Sequence, residues 1–242
     1  MQIMVTDREY RYTSPAGREC MLAAARFAAV NPSSRVLDLG CGLGAAASLL
    51  AKEFRCRVVA VDNRPELAEA TTEYSIKKGV SHLVSVHDSD PFEIDFSDDP
   101  FDLIIVEGNF IPPHKRQPLF QKLSQWLLPR GWISFADLIF TVAESPTEIR
   151  LTFGEDQKNE PKEDFFLELI KETQMDLHFK GLVPPSSWDN YYTHMAHRLA
   201  DRRGFFSDPM VKYSLHKKID TFYRYKGLKY LGFLFCIARR KN

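Results

Sequence analysis

The stretch RVLDLGCGLGAAASLL, residues 35–50, joins a short apolar segment to an alanine-rich segment through three alternating glycines. RVLDL has the length and apolar character of a buried strand, and LGAAASLLAKEF is typical of a helix. Gly40, Gly42 and Gly44 lie between the two, where glycine permits positive φ angles and close approach of the backbone to a ligand. The helix start adds unpaired N–H groups at the same place. The stretch therefore predicts a strand, a ligand-binding glycine loop and a helix in succession.

The segments after this stretch continue to alternate between strand and helix up to about residue 140. Further apolar runs predict strands at CRVVAVD, HLVSVHD, FDLIIVEG and WISFADLIF. Helices are predicted at RPELAEATTEYSIKKG and at KRQPLFQKLSQWLLPRG, where Pro129 and Gly131 would end the second one. Another helix precedes the first strand, with Ser14 as its N-cap and Pro15 at its first position. Apolar strands that alternate with helices are typical of a parallel sheet covered on both faces.

The pattern changes beyond residue 140. Residues 141–160 are polar and irregular, which predicts a long loop, and long loops often serve binding. A helix, a strand (MDLHFKGLV), two more helices and a last strand (LKYLGFLFCIARR) follow, which predicts an antiparallel pair at the sheet edge. We therefore expect an α/β fold with a Rossmann-like, seven-stranded, mostly parallel sheet and helices on both faces. The C-terminal strand would be antiparallel, with a helical insert between the last two strands.

The composition favours one packed globular domain. The chain of 242 residues is 44% hydrophobic and 26% charged, and its 32 basic side chains balance 32 acidic ones. This balance argues against a dedicated nucleic-acid binder, whose domain is usually strongly basic. The segment from Arg202 to Asn242 is nevertheless rich in Lys and Arg. It is either a solvated face or a basic rim that attracts an anionic substrate or a membrane surface.

The cysteines and the N-terminal residues bear on the compartment. Cys20, Cys41, Cys56 and Cys236 show neither C-x-x-C pairing nor zinc-site spacing, so reduced thiols are expected. The N-terminus lacks the pattern of a signal peptide, and no apolar run approaches the ~20 residues that span a bilayer. The sequence therefore predicts a cytoplasmic protein without a membrane span.

Two templates fit the glycine loop. Gly40, Gly42 and Ala45 satisfy the dinucleotide fingerprint G-x-G-x-x-G/A. The second template has an acid two positions before the first of three alternating glycines, and Asp38 occupies that position. A charge inside a strand is costly unless it is hydrogen-bonded. A pyrophosphate would not be stabilised by a carboxylate at this position, whereas a ligand with an ammonium and a sulfonium would be. Asp62 ends the second strand, where a carboxylate can bind a ribose diol. The second template is favoured.

Four motifs carry a family resemblance. VLDLGCGLG, VVAVDNRPELAEAT, VHDSDPFEIDFSDDPFDLIIVEG and LLPRGWISFADLIF are similar to the motifs of class I S-adenosylmethionine-dependent methyltransferases. Arg130 stands where the family's turn has its first glycine. The ends of the chain, 1–34 and 141–242, look like the small-molecule subgroup. The resemblance implies S-adenosylmethionine (SAM) as cofactor and methyl transfer to a small-molecule acceptor by in-line displacement.

The resemblance also implies which residues would contact the methionine part of the cofactor. The methionine moiety would be lined by Gly40, Gly42 and Gly44. Asp38 would help to hold the amino group. Glu107 and Gly108, which leave the fourth strand, would line the sulfonium side.

The nucleoside would be held at the ends of the second and third strands. Asp62 would bind the ribose hydroxyls, with Asn63 beside the adenine. Asp88 would accept a hydrogen bond from the adenine amino group, and Ser89 would follow it. Asp90 is an alternative to Asp88 in this acid-rich loop.

Catalysis of this reaction needs alignment first and a base second. Holding the nucleophile and the methyl group in line can be worth ~7–11 kcal/mol, so a general base is helpful but not obligatory. The candidate bases are Glu107, His114 in the loop after the fourth strand, and His194 and His197 on a later helix. His194 and His197 share one helical face without an evident third ligand. Glu107 and Asp137 lie near the positions that metal-dependent relatives use, yet no Asp-Asn pair follows, and no metal site is predicted.

Aromatic residues are the candidates for the substrate side. Trp188, Tyr191 and Tyr192 cluster directly after the sixth strand and can form a pocket wall or surround a cation. Tyr12, together with Tyr10, would form a flap over the cofactor or belong to a disordered arm.

We therefore expect one methyltransferase domain over residues 1–242. Residues 1–34 would form an N-terminal cap helix, 35–140 the cofactor-binding core, and 141–242 the substrate side, with a helical lid at about 184–227. The expected partner is a small molecule and not a nucleic acid, and the protein would be a monomer or a homodimer. Two alternatives are a methyltransferase acting on RNA or protein, and a protein that binds SAM without turnover.

Overall fold

The computed structural model describes residues 10–107, 113–154, 161–200 and 208–242. Its strands are β1 (Arg35–Leu39), β2 (Arg57–Asp62), β3 (Val84–Asp88), β4 (Phe101–Glu107), β5 (Leu127–Phe140), β6 (Met175–Leu182) and β7 (Leu231–Arg240). They form one seven-stranded sheet in the order β3-β2-β1-β4-β5-β7-β6.

Eight α-helices lie in the described part of the chain. They are α1 (Gly17–Phe27), α2 (Ala45–Phe54), α3 (Pro65–Lys77), α4 (Pro113–Gln125), α5 (Thr147–Phe153), α6 (Glu163–Glu172), α7 (Pro185–Ala200) and α8 (Pro209–Arg224). A short 3₁₀ helix, Gly227–Lys229, precedes β7. Within these described ranges, no helix has the length and apolarity needed to cross a membrane.

The strand directions confirm the predicted sheet. Strands β1 to β5 pair in parallel, whereas β7 runs antiparallel to both of its neighbours, β5 and β6. The helices α7 and α8, here called the insert helices, lie between β6 and β7 in the chain. The carboxyl ends of β1, β2 and β4 meet at one edge of the sheet, which is where ligands bind in open α/β sheets.

Strand β4 shows why both faces of the sheet are covered. Leu103 and Ile105 pack in a cluster with side chains of α1 and α2, whereas Ile104 and Val106 pack in a second cluster with α4 and α6. Alternate residues of a strand point to opposite faces, so a strand that is apolar throughout needs helices on both sides. Burial of each such side chain contributes roughly 1.5–3 kcal/mol.

The first helix begins later than predicted. Its N-cap is Ala16 and not Ser14, and no side chain caps the helix start. Ser14 Oγ instead donates a hydrogen bond to Glu107 Oε2 at 3.2 Å. Because Ser14 Oγ also accepts a hydrogen bond from Ala16 N at 3.3 Å, Ser14 connects the turn before α1 to the end of β4.

The boundary between α4 and β5 also differs from the prediction. The helix ends at Gln125, and the chain is already a strand at Leu127, before Pro129. The amide of Phe101 donates to Trp126 O at 2.8 Å, so sheet pairing replaces helical bonding at this point.

The predicted long loop at 141–160 contains helix α5. Ile149 and Phe153 are buried in a cluster with Trp188 and Phe222 of the insert helices. Packing against the insert thus stabilises a helix that the polar sequence does not indicate. Residues 155–160 lie outside the described part of the chain.

Candidate active site

The glycine loop folds back over the end of β2. The amides of Gly40 and Cys41 both donate to Val61 O, at 2.8 and 3.0 Å. Gly40 and Gly42 have φ angles of +79° and +55°, a region that residues with a Cβ rarely adopt. The loop therefore requires glycine at both positions, and both glycines line a cavity at this edge of the sheet.

Gly44 serves helix packing. It is the N-cap of α2, with a φ of +77°. A Cβ at this position would lie 2.9 Å from Thr71 Cα on α3. Gly44 is not among the described residues that line the cavity, so its absent side chain chiefly allows α2 and α3 to approach each other.

Gly44→Ala is expected to lower the free energy of unfolding by about 2–3 kcal/mol, since a left-handed conformation and a steric overlap both oppose the methyl group. Gly79→Ala is the matched control, because Gly79 has a similar φ of +71° with nothing within 4 Å of its Cβ position. Urea unfolding of both variants separates the overlap from the backbone cost. Equal losses in the two variants would show that Thr71 yields without cost.

Asp62 connects the glycine loop to the start of α3. Its Oδ2 accepts a hydrogen bond from Gly42 N at 3.0 Å, and its Oδ1 accepts one from Arg64 N at 3.1 Å. Asp62 and Asn63 both line the cavity. Each carboxylate oxygen has a second lone pair, so Asp62 can still accept hydrogen bonds from a diol.

Two carboxyl groups are buried near the ends of β1 and β4. Asp38 is almost fully buried, and the amide of Ala47 donates to it. Glu107 is partly exposed as a residue and lines the cavity, yet its Oε1 is inaccessible to solvent. Asp38 Oδ2 and Glu107 Oε1 have no hydrogen-bond partner among the described residues. Buried carboxyl oxygens without a donor fit a cationic ligand, which would supply the missing donor and favour their ionised form.

Burial raises the pKa of both groups. Desolvation, together with the nearby charge of Asp38, raises the pKa of Glu107 to about 8, although the Ser14 hydrogen bond opposes the shift. Desolvation raises the pKa of Asp38 to about 7, against the effect of the Ala47 amide. A cation bound beside the pair would favour the ionised forms.

The cavity above the glycine loop, here called the loop cavity, has a volume of about 430 Å³. On the sheet side it is lined by Gly40, Gly42, Asp62, Asn63 and Glu107. On the side of the insert helices it is lined by Tyr191, Met195, Val211 and Leu215. The insert helices therefore cover the site that the glycine loop opens.

A second cavity, here called the aromatic cavity, adjoins the first and has a volume of about 170 Å³. Four residues line both cavities: Thr13, Tyr191, Met195 and Leu215. The other ring-bearing walls are Phe153, Trp188, Tyr192 and Phe233. Trp188 is 2% exposed and stacks on Phe222 with ring centroids 5.0 Å apart. The structure thus brings the predicted aromatic cluster next to the loop cavity.

The N-terminal segment bridges the insert helices and the glycine loop. Tyr10 stacks on His194 with ring centroids 4.0 Å apart, and the guanidinium of Arg198 donates to Tyr10 O. Arg11 donates to Leu43 O at 3.3 Å. These contacts explain how the segment comes to supply walls of both cavities.

Several predicted site residues lie elsewhere. Tyr12 lines a separate cavity of about 500 Å³ beside α1 and α2. His114 is exposed in the first turn of α4, and His197 is exposed on α7. None of these three side chains is among the described residues that line the loop cavity or the aromatic cavity.

The segment after β3, predicted to contact the adenine, lines the loop cavity with Pro91 and not with Asp88. Asp88 is exposed at the end of β3, whereas Pro91 lines the loop cavity. The amide of Ser89 donates to the backbone oxygen of Asp62 at 3.0 Å. Gly108, predicted to lie on the sulfonium side, falls outside the described residues.

Asp137 forms a buried ion pair with α4. Its Oδ2 lies 3.2 Å from Arg116 Nη2, and its Oδ1 accepts a hydrogen bond from Leu138 N at 2.7 Å. In the ranges that the structure describes, no group of three or more His, Cys, Asp or Glu side chains could hold a metal ion.

Sequence reasoning placed α8 within the predicted lid at about 184–227 but named none of its residues, and it gave Ser14 only the role of a helix cap. Val211, Leu215 and Lys218 line the cavities, and their helical spacing was a signal that could have identified this face of α8. The bond between Ser14 and Glu107 joins residues 93 positions apart, and no local pattern marks it.

The family comparison agrees with the fold and the glycine loop. A family model described as a methyltransferase domain matches residues 36–131. This range runs from β1 into β5 and includes the glycine loop, Asp62 and Glu107.

Two relatives each match a little under half of the chain. The glycine/sarcosine/dimethylglycine N-methyltransferase of Actinopolyspora halophila is 28% identical over 108 residues, which are 45% of this chain and 19% of that protein. The carboxy-S-adenosyl-L-methionine synthase of Salmonella paratyphi C is 33% identical over 113 residues, or 46% of this chain and 45% of that protein. The chain spans less than half the length of these curated relatives.

A solved structure extends the likeness over almost the whole chain. The SAM-dependent methyltransferase from Geobacter sulfurreducens, in complex with S-adenosylhomocysteine, superimposes with a TM-score of 0.76 at 17% identity. The superposition covers 96% of this chain and 95% of that one. Residues 36–131 are therefore similar to a methyltransferase domain, and the fold of almost the whole chain is similar to that of the Geobacter sulfurreducens protein.

Proposed function

We propose that the protein transfers a methyl group from SAM to a small-molecule acceptor. SAM supplies an electrophilic methyl group on a sulfonium. The observation that carries the proposal is the junction of the two cavities: the loop cavity, whose wall includes Glu107, shares four lining residues with the aromatic cavity. A cofactor in the loop cavity would therefore have its reactive end beside an acceptor in the aromatic cavity.

Four polar residues at the ends of β1, β2 and β4 have defined roles in this proposal. Asp62 binds the ribose hydroxyls, with Asn63 beside the adenine. Asp38 holds the amino group of the methionine moiety, and Glu107 lies beside the sulfonium, where it can also accept a proton. The insert helices exclude water and fix the acceptor in line with the methyl group.

The size of the aromatic cavity supports a small acceptor. Its volume of about 170 Å³ is close to that of an engineered apolar cavity of about 150 Å³ that holds benzene. The matched relative from Actinopolyspora halophila is named for methylation of glycine, sarcosine and dimethylglycine, which are acceptors of modest size.

The first test is a calorimetric titration with SAM, S-adenosylhomocysteine and NAD in parallel. We expect micromolar binding of the first two and none of NAD. Binding of NAD alone would refute the assignment of Asp38 to a cationic ligand. Binding of both SAM forms without methyl transfer to any acceptor would favour a non-catalytic SAM-binding protein.

Asp62→Ala is expected to weaken SAM affinity by roughly 1.5–3 kcal/mol, which is the scale of lost hydrogen bonds to a charged group. Asp62→Asn is the matched control, since its side-chain oxygen can still accept the hydrogen bond from the backbone N–H of Gly42. Calorimetry on variants whose circular dichroism matches the parent measures the loss. An unchanged affinity in folded Asp62→Ala would refute the ribose assignment.

We further propose that the protein acts in the cytoplasm, as a monomer or homodimer, and without a nucleic-acid partner. Light scattering on the purified chain gives the oligomeric state. Salt-sensitive association with RNA would favour the alternative of a macromolecular acceptor, for which the basic C-terminal segment would supply the contacts.

A further inference from the structure

Within the described ranges, one hydrogen bond orients the carboxyl group of Glu107. Ser14 Oγ donates to Glu107 Oε2 at 3.2 Å, whereas Glu107 Oε1 has no partner among the described residues. The backbone of Glu107 is fixed separately, because Glu107 pairs with Ala136 where β4 and β5 end their pairing. The orientation of the side chain therefore depends on Ser14.

The surroundings of Ser14 direct its hydroxyl at Glu107. A hydroxyl has one proton to donate and two lone pairs that accept. Ser14 Oγ accepts a hydrogen bond from Ala16 N at 3.3 Å, which leaves its one proton for Glu107. Ser14 is only 3% exposed, so bulk water does not compete for that proton. The donor is thus committed to the carboxyl group before any ligand binds.

The segment that carries Ser14 is held on both sides of the site. Tyr10 stacks on His194 of α7, with ring centroids 4.0 Å apart. Arg11 donates to Leu43 O in the glycine loop at 3.3 Å. Ser14 therefore reaches Glu107 from a backbone that contacts both the insert helices and the glycine loop, and such support is what fixes a functional side chain in one geometry.

The bond between Ser14 and Glu107 joins the linings of the two cavities. Ser14 lines the aromatic cavity, and Glu107 lines the loop cavity. Thr13, the neighbour of Ser14, lines both. The bond therefore holds the carboxyl group near the place where the two cavities meet.

We propose that Ser14 is a positioning residue, whose hydroxyl keeps the carboxyl group of Glu107 beside the sulfonium of the cofactor. This inference rests on the proposed methyl transfer and adds a residue that acts through Glu107. SAM and S-adenosylhomocysteine differ by one methyl group and one positive charge. A carboxylate held beside the sulfur therefore favours SAM, and the ratio of the two affinities reports its position and its ionisation.

The pH dependence of this ratio depends on Glu107. Desolvation raises the pKa of Glu107 to about 8, and the Ser14 hydrogen bond opposes the shift because it stabilises the ionised form. The other buried titratable groups around it are Asp38 of β1, Tyr10 and Tyr12 of the N-terminal segment, Cys20 of α1 and Tyr191 of α7. Burial raises the pKa values of the tyrosines and the cysteine, so these four groups stay neutral below pH ~9.

The remaining charged groups act on parts that the two ligands share. Asp38 would contact the amino group, which SAM and S-adenosylhomocysteine both carry. Asp62 and Arg64 line the loop cavity and pair with each other at 3.4 Å, and Asp62 would contact the ribose. Their effects on the two affinities cancel in the ratio, which leaves Glu107 as the source of its pH dependence.

The test is calorimetry of SAM and of S-adenosylhomocysteine on the full chain, at several pH values between about 5.5 and about 9. We expect the preference of the parent for SAM to rise about ten-fold as Glu107 ionises. In Ser14→Ala the midpoint of this rise should move up by about one pH unit, because the ionised form loses its donor. Ser75→Ala is the matched control, since Ser75 is 1% exposed and its hydroxyl donates to Thr72 O on α3.

Further variants separate positioning from a structural role. Ser14→Thr keeps the hydroxyl and should restore the midpoint of the parent. Ser14→Cys has only a weak donor and should shift the midpoint as Ser14→Ala does, so it serves as the test if Ser14→Ala does not fold. Glu107→Gln should remove the rise, and adding Ser14→Ala to it should change the ratio no further.

A Ser14→Ala midpoint equal to that of the parent would overturn the proposal, as would an equal shift in Ser75→Ala. A parent ratio that does not vary with pH would also overturn it, because Glu107 would then not lie beside the sulfonium. So would an effect of Ser14→Ala that persists undiminished in Glu107→Gln. A chain that binds neither SAM nor S-adenosylhomocysteine would instead overturn the proposed function itself.

Discussion

Replacing Arg116 by methionine is expected to lower the free energy of unfolding by about 3–5 kcal/mol, because the carboxylate of Asp137 would stay buried without its cation. Arg116 Nη2 and Asp137 Oδ2 lie 3.2 Å apart, and both residues are buried. Asp137 follows Ala136, the residue that pairs with Glu107 across β4 and β5. The pair thus stabilises the strand ends that carry the candidate base. Urea unfolding followed by circular dichroism measures the loss.

Two controls separate a buried pair from an ordinary one. The double variant Arg116→Met/Asp137→Leu should recover much of the stability, since apolar side chains of similar volume often replace a buried pair without loss. Arg224→Met removes the exposed pair with Asp220 on α8 and should cost less than about 1 kcal/mol. A comparably small cost for Arg116→Met would mean that Asp137 gains access to water.

The ligand-free protein is expected to lose stability as the pH rises from about 4.5 to about 8. Burial raises the pKa of Glu107 from its ordinary 4.5 to about 8, so the folded state holds more protons than the unfolded state in this interval. The free energy of unfolding therefore falls with rising pH. The total effect is about 3–5 kcal/mol, because one pH unit between two pKa values is worth ~1.4 kcal/mol.

The groups that face Glu107 determine how this titration is read. Burial also raises the pKa of Asp38, from 3.8 to about 7. Asp38 therefore adds to the fall in the free energy of unfolding over an overlapping pH interval. Burial raises the pKa values of Tyr10 and Cys20 to about 12, and that of Tyr12 is also raised, so all three stay neutral throughout. The two carboxyl groups are therefore the source of the expected slope.

Urea unfolding at several pH values between 4.5 and 8 tests this expectation. Glu107→Gln should flatten the slope and be more stable than the parent at pH 8, while the two should be similar near pH 4.5. Glu53→Gln, at an exposed position of α2, should leave the slope unchanged. A parent slope that survives in Glu107→Gln would assign the effect to Asp38 or to another group.

The core of the fold could be predicted because its signals are local. The stretch 35–50 contains the apolar strand, the glycines and the helix that the structure places there. The antiparallel last strand was predicted as well, because the strands near the C-terminus are separated by helices and no crossover follows. Asp62 could be placed at the glycine loop, since its position at the end of β2 depends on strand order alone.

The rest depends on contacts between distant segments. Ser14 has the sequence of a helix cap, yet its hydroxyl bonds to Glu107 of β4. Helix α5 forms because Ile149 and Phe153 are buried against the insert helices, which no pattern within 141–160 indicates. The pairing of Arg116 with Asp137 likewise joins α4 to β5. The predicted roles of Asp88 and His114 stay predictions, and both side chains are exposed in this structure.

The place of β7 in the sheet has a consequence for synthesis of the chain on the ribosome. β7 lies between β5 and β6, although β6 precedes it in sequence. Strand β6 can therefore join the sheet only after residues up to Arg240 have been made. Until then, the nascent chain exposes the open edge of β5 and an unpaired β6, which are features that promote association between chains. We therefore expect chaperones to bind the nascent chain until β7 has emerged and paired with both strands.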